Sequence, residues 1–278
     1  SVHVDYWAHL KQSNAGRAGL LLVCLLVGVA VLAPVLSPCD PGAYTGAIFS
    51  PPGRDHWLGT NDVGQDVWAQ LLFGARTSLA VGCGAALLAT FLSVLIGGTA
   101  GLLGGLYDRL WMRIVDALLV IPPVIPAILV AAYLRPSLAV TVVLLAAILW
   151  PGEARVVRAQ TLSLKERAPV AAARTFGAGW GHILVRHLIP ELGPVLVVVF
   201  VQGVRRAVFL EAGLSFLGIG DPAVVSWGRM MQHALRFTYL DVWKWWLLPP
   251  GLALSLTLGA FALLGFALET VFHPRLRR

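Results

Sequence analysis

The chain alternates between long apolar stretches and shorter polar segments. Its first uncharged stretch, Gly19–Leu36, contains 18 residues, and a helix of that length spans about 27 Å of bilayer. Ala80–Tyr107 contains no charged residue either. Stretches of this kind are typical of membrane-crossing helices. The hydropathy pattern therefore predicts six transmembrane helices, at Gly19–Leu36, Ala80–Tyr107, Ile114–Leu134, Ser137–Gly152, Glu191–Leu210 and Leu247–Leu268.

The composition agrees with an all-α integral membrane protein. Hydrophobic residues make up 58% of the chain and charged residues 13%, whereas soluble domains carry about 25% charged residues. Basic cytoplasmic loops account for the net charge of +7, so we predict no nucleic-acid partner. Three scattered cysteines show neither metal-ligand nor disulfide spacing, and we predict no metal site and no catalytic residue.

The distribution of basic residues predicts that both termini lie in the cytoplasm. Lys and Arg are enriched in the cytoplasmic loops of membrane proteins. With six spans and the N-terminus inside, 13 of the 21 Lys and Arg residues fall on the cytoplasmic side: Lys11, Arg17, Arg109, Arg113, Arg155, Arg158, Lys165, Arg167, Arg174, Arg186, Arg275, Arg277 and Arg278.

Three regions follow from this topology. Residues 1–76 would hold an N-terminal tail, the first transmembrane helix and an extracytoplasmic segment. Residues 77–272 would form a five-helix core with a cytoplasmic loop at 153–189. Residues 273–278 would form a basic cytoplasmic tail. Within these regions we expect Asp108–Arg113 to be a charged turn, Asp66 to be a turn or helix-cap residue, and Trp243, Trp245 and Trp246 to form an interfacial aromatic belt.

A helix–glycine–helix segment is predicted at Val170–Pro190. Three alanines favour a helix over Val170–Phe176, and Gly177 is placed to end it in a left-handed cap. A second helix is expected over Trp180–Leu188, before Pro190. The segment lacks a paired acid, base or nucleophile, so docking suits it better than catalysis. His182 and His187 are five residues apart, which does not place two ligands on one face of an α-helix, so we interpret them as surface residues.

This segment resembles the EAA loop of ABC importer permeases. The resemblance rests on Ala171-Ala172-Ala173, Gly177 and the closing Leu188-Ile189-Pro190, with Ala171 at the position of the usual Glu. It implies a cytoplasmic coupling helix that contacts an ATPase subunit. The residues implied at that interface are Ala171, Ala172, Ala173, Arg174, Phe176, Gly177 and Pro190.

Two further segments resemble the permeases of peptide and nickel importers. His56–Leu79 contains His-x-Leu-Gly-Thr and Gly-Ala-Arg-x-Ser-Leu, and Glu211–Trp227 begins Glu-Ala-Gly-Leu-Ser-Phe-Leu-Gly. The resemblance implies the type I ABC importer permease fold in the cytoplasmic (inner) membrane. It also implies transport of peptides, nickel or nickel chelates by alternating access. The implied partners are a second homologous permease, two P-loop ATPases, an extracytoplasmic binding protein and the lipid bilayer.

The chain itself lacks the Gly-x-x-x-x-Gly-Lys-Ser/Thr motif that binds ATP phosphates. The resemblance therefore implies that the ATPase partners bind ATP and magnesium, and that this chain has no cofactor of its own.

Proline and charged residues inside the spans are candidates for the translocation pathway, because such residues usually face a cavity or a partner. An alternative is that Arg205 and Arg206 lie near the outer interface, where they either snorkel to the membrane surface or pair with Glu211. Gly97, Gly101 and Gly105 predict close helix packing. The pathway candidates are Pro122, Pro126, Arg205, Arg206 and Glu211.

Two other functions fit the sequence less well. An intramembrane serine hydrolase is disfavoured because Leu217 occupies the last glycine position of a Gly-x-Ser-x-Gly elbow. An ion-coupled secondary carrier acting without an ATPase would need membrane acids, and only Asp116 is a candidate.

Overall fold

A computed structural model of the protein describes residues 13–272, except for the side chains of Ala168, Pro169, Ala171, Arg174, Val271 and Phe272. The N-terminal tail up to residue 12 and the basic tail at 273–278 lie outside the described residues. In the described part, five apolar helical stretches are long enough to cross a membrane, or six if one bent pair counts as a single span. The helices are α1 (Asn14–Leu36), α2 (Val67–Ser93), α3 (Thr99–Leu103), α4 (Gly105–Val120), α5 (Val124–Tyr133), α6 (Leu138–Lys165), α7 (Ala168–Thr175), α8 (Trp180–Ile183), α9 (Ile189–Phe216), α10 (Trp227–Leu235), α11 (Trp243–Trp246) and α12 (Leu248–Phe272), with single π turns at Val94–Gly98 and Leu184–Leu188.

The second span begins earlier than hydropathy predicts. Asp66 caps α2, because its Oδ1 accepts a 2.7 Å hydrogen bond from the Ala69 backbone N–H. The helix then continues through the first π turn and α3 to Leu103. It stops at Gly104 and Gly105, both of which have positive φ angles, 68° and 63°.

The charged turn predicted at Asp108–Arg113 is wrong, because these residues lie in the first half of α4. Their charges do not interrupt the helix, since Asp108 pairs with Arg158 of α6. The chain bends by 85° between α4 and α5. Pro122 and Pro123 lie at this break, where they cannot donate the backbone hydrogen bonds of a continuous helix.

Two predicted span ends are also corrected. Helix α6 does not stop at Gly152 but continues through Pro151 to Lys165. Helix α9 does not stop at Leu210 but continues to Phe216. The polar region between these spans is therefore mostly helical.

Small residues bring the long helices into close contact. A side chain at Gly97 would meet the backbone of Ala154, and one at Gly101 would meet Thr161, so the first two glycines of the predicted stripe pack against α6. Gly105 has open space around it. Gly19 of α1 approaches the backbone of Leu264 on α12 in the same way.

The two ends of the helical bundle differ. We call residues 37–66 and 217–247 the cap, because these segments pack together over one end. Phe237 stacks on Trp246 with ring centroids 5.7 Å apart, and Phe49 contacts both rings. Trp246 is only 1% exposed, so its assignment to an interfacial belt is wrong. We call residues 166–188, at the opposite end, the knob.

Candidate functional site

The knob consists of α7 and α8 joined by a glycine turn. Gly177 has a φ of 81°, and the Ala178 N–H donates to the Ala173 carbonyl at 3.0 Å. This i to i−5 bond is the one that closes a Schellman cap. The predicted helix–glycine–helix geometry is therefore present, with α7 at Ala168–Thr175.

The knob is fixed to the membrane helices by an apolar cluster. Val170 of α7 and Ile183 of α8 are fully buried, and they belong to one cluster with Leu102, Val157 and other apolar residues of the long helices. A displacement of α7 must therefore move α6 or α9 with it, because tightly packed interiors transmit strain.

Two polar contacts reinforce this attachment. Arg167 pairs with Glu191 of α9 at 3.0 Å. The Lys165 ammonium donates to the Gly101 carbonyl at 3.1 Å, near the end of α3. The first contact joins the knob to α9, and the second joins the end of α6, directly before the knob, to α3.

The outer surface of the knob carries an aromatic side chain. Phe176 is 89% exposed. Ala172 and Gly177 are also exposed, whereas Ala173 is half-buried. Pro190 lies outside this surface, in the first turn of α9. Ala171 and Arg174 belong to α7 by their backbone.

His182 and His187 come together, contrary to the prediction from their spacing. Their ring centroids lie 5.8 Å apart. The π turn at Leu184–Leu188 produces this approach, because a π turn bonds residue i to residue i+5. Helical wheels with 3.6 residues per turn cannot reveal such a pair.

A cleft of about 280 Å³ lies where the α4–α5 break meets α6 and α9. Arg206 is its charged lining residue, and Pro123, Gly152 and Leu119 contribute to its walls. Pro122 and Pro126 were the predicted pathway prolines, but the proline that lines this cleft is Pro123.

Within the part of the chain that the structure describes, neither arginine of α9 forms an ion pair with Glu211, so the predicted pairing is wrong. The buried Glu211 carboxylate accepts hydrogen bonds from Ser78 at 3.0 Å and from Ser215 at 2.7 Å. The Ser78 bond joins α2 to α9, whereas the Ser215 bond lies within α9. Within residues 13–272, the Nε of Arg205 has no hydrogen-bond partner.

Sequence reasoning missed Glu153, which was assigned to a polar loop. It lies in α6, is 4% exposed and accepts a 3.3 Å hydrogen bond from Thr90. Its Oε1 has no hydrogen-bond partner among the described residues. The positive charge of Arg206 attracts the Glu153 carboxylate electrostatically. Gly203 provides the space for this carboxylate, since an added Cβ there would lie 2.8 Å from Oε1.

A second cavity, of about 270 Å³, lies in the cap. Arg229, His233 and Asp62 line it together with Gln65 and Gln70. Burial lowers the pKa of His233. The positive charges of Arg229 and Arg236 lower this pKa further, and the negative charge of Asp62 opposes them. The His233 ring is therefore held in its neutral form at pH 7.

Comparisons with known proteins agree with this architecture. The family described as "binding-protein-dependent transport system inner membrane component" matches residues 93–278. A dipeptide transport system permease protein, DppC, of Bacillus subtilis is 38% identical over 276 residues, which cover 99% of this chain and 86% of the relative. A putative peptide permease of Brucella suis is 39% identical over 266 residues, or 95% of this chain and 88% of the relative.

These matches extend over nearly the whole chain, and the apolar helices make it a multi-pass protein of the inner membrane. The chain therefore belongs to the family of inner-membrane components of binding-protein-dependent transport systems, which are permease subunits of ABC transporters.

Proposed function

We propose that this chain is one permease subunit of an ATP-driven importer that moves peptides across the cytoplasmic membrane by alternating access. The observation that carries the proposal is the knob, which exposes Phe176 on its outer surface while Val170 and Ile183 anchor it among the long helices. A docking surface of this kind suits a partner that delivers mechanical work. The relatives are named as peptide permeases, which favours peptides over nickel or nickel chelates as the cargo.

The complex would contain a second homologous permease, two P-loop ATPases and an extracytoplasmic binding protein. ATP and magnesium would be bound by the ATPases. The cap would face the binding protein and the knob would face an ATPase in the cytoplasm, with both termini on the same side as the knob. This orientation places the basic residues of the knob and of α4 inside.

The packing suggests how the work would be transmitted. Closure of the ATPases would displace α7, and the cluster around Val170 would pass the displacement to α6 and α9. These two helices form walls of the cleft that contains Arg206. A change in their separation would open or close that cleft as a rigid-body movement. The guanidinium there would meet the carboxylate of a peptide.

Replacement of Phe176 tests the docking surface. The complex is purified through this chain and its ATPase content is measured, then peptide uptake is followed in liposomes with and without ATP. Phe176→Ser should reduce the co-purified ATPase by about tenfold, as expected for loss of an aromatic hot spot. Val185→Ser is the matched control, because Val185 is 64% exposed on the same knob but outside α7.

ATP dependence separates the importer from the ion-coupled carrier. Uptake that persists without ATP and collapses with the ion gradient would favour the carrier.

ATPase content that is equal in Phe176→Ser and wild type would reject the knob as the docking surface.

A further inference from the structure

The second π turn gives His182 and His187 a relationship that an α-helix would forbid. In an α-helix, residues five apart point about 140° away from each other. Here the turn at Leu184–Leu188 contains an extra residue, and the two imidazole rings approach to 5.8 Å between centroids at an interplanar angle of 63°. Single π turns within helices occur frequently at functional sites.

Both rings are available to a ligand. His182 is exposed and His187 is half-exposed. Within the described part of the chain, neither imidazole donates or accepts a hydrogen bond, and neither pairs with a carboxylate. Each ring can therefore turn a nitrogen lone pair toward the space between the two rings.

The distance fits coordination of one ion by both rings. A zinc ion lies about 2.0–2.1 Å from an imidazole nitrogen, which places two coordinated ring centres about 5–6 Å apart. Imidazole is the commonest metal ligand in proteins and suits zinc, copper and nickel, which it binds in its neutral form. The described residues contain no cluster of three or more potential metal ligands, so water would complete the coordination.

We propose that His182 and His187 form a two-imidazole site for a divalent transition-metal ion on the knob. The ion would connect His182 in α8 to His187 near the end of the π turn, which α9 follows directly. It would thereby hold the π turn in the register that the structure shows. The proposal does not depend on the transported cargo or on ATPase docking.

The test is metal titration of the complete chain, purified without a histidine tag into lipid nanodiscs. Copper binding is followed by electron paramagnetic resonance, in which nitrogen coordination has its own signature, and nickel and zinc binding by calorimetry. Affinity should be highest for Cu²⁺, as the Irving–Williams order requires. It should fall as the solution is made more acidic, because protons compete with the metal ion for the imidazole nitrogens.

Single substitutions locate the site. His182→Gln and His187→Gln should each weaken copper binding by at least about tenfold, equivalent to about 1.4 kcal/mol. His233→Gln, in the cap, removes a histidine elsewhere and should leave the affinity unchanged. His182 is exposed, so its replacement leaves packing intact and remains informative if His187→Gln disturbs the fold.

Two results would overturn the proposal. One is the absence of saturable copper binding to the wild-type chain below about 1 mM, which corresponds to about −4.1 kcal/mol. The other is an unchanged affinity in His182→Gln, since that would place the ion away from the histidine pair.

Discussion

Asp108 of α4 and Arg158 of α6 form a two-point ion pair, with Nε–Oδ1 and Nη2–Oδ2 distances of 2.5 and 2.6 Å. The Asp108 side chain is 13% exposed and that of Arg158 is 30% exposed. Two parallel charge-assisted bonds hold both groups in one geometry. The pair fixes the first half of α4 against α6, on the knob side of the α4–α5 break.

A double-mutant cycle should measure the strength of this pair. Asp108→Asn and Arg158→Gln, alone and together, should give a coupling free energy of about 1–2 kcal/mol, because the pair is partly shielded from water. The measurement is denaturant unfolding in detergent. Asp116 and Arg155 provide the comparison, since they join the same helices but are each about half exposed, and their coupling should stay below about 1 kcal/mol. Equal couplings would contradict this argument.

The orientation of the two ends can be tested with cysteine labelling. Tyr44 in the cap is 77% exposed and Phe176 in the knob is 89% exposed. In a chain whose native cysteines are replaced by serine, Tyr44→Cys should react with a membrane-impermeant maleimide on intact cells. Phe176→Cys should react only after the cells are opened. The reverse pattern would place the knob outside and exclude ATPase docking there.

Gly177 should be intolerant of any side chain. Its φ of 81° costs an L-residue about 1–2 kcal/mol, although the space around it is open. Gly177→Ala should therefore change the angle between α7 and α8 and reduce both ATPase binding and uptake. Gly181→Ala is the matched control, because Gly181 lies in α8 with open space and an ordinary helical backbone. Full activity in Gly177→Ala would show that the left-handed backbone at Gly177 is unimportant.

Substitution of alanine for two glycines of α9 should change the stability of the protein in opposite directions. At Gly203 an added methyl would press on Glu153 Oε1 at 2.8 Å and on Ala86 at 3.2 Å, which should cost about 1–3 kcal/mol of stability. At Gly213 nothing lies within 4 Å, so alanine should stabilise the helix by about 0.5–1 kcal/mol. Thermal unfolding of both variants gives the comparison. An unaltered melting temperature in Gly203→Ala would mean that the carboxylate can shift freely.

His233 should make stability depend on pH. Its pKa in the folded protein is lowered from about 6.5 by burial and by Arg229 and Arg236. The neutral ring therefore contributes stability above about pH 6.5, and this contribution is lost as the pH falls through the lowered pKa. His233→Gln should flatten the decline in stability between pH 7.5 and 5. If the stability of His233→Gln declined as steeply as that of the wild type, groups other than His233 would cause the pH dependence.

Sequence patterns predicted the elements whose signals are local. Uncharged stretches located the spans, and Gly177 marked the turn between α7 and α8. The errors arose where tertiary contacts decided the outcome. Asp108 and Arg158 suggested a turn and a loop, yet they neutralise each other across two helices. Glu153 was hidden in a predicted loop because its burial depends on Thr90 and Gly203, which lie far away in the sequence.

The two π turns, Val94–Gly98 and Leu184–Leu188, approach each other at one point, where an added Cβ at Gly98 would lie 3.6 Å from the Leu184 side chain. Each π turn is equivalent to a single-residue insertion in a helix, and one residue corresponds to a rotation of about 100°. Deletion of one residue from the second turn would rotate the preceding segment about its axis and point Phe176 in a new direction. The direction in which the knob presents Phe176 therefore depends on the number of residues in this turn.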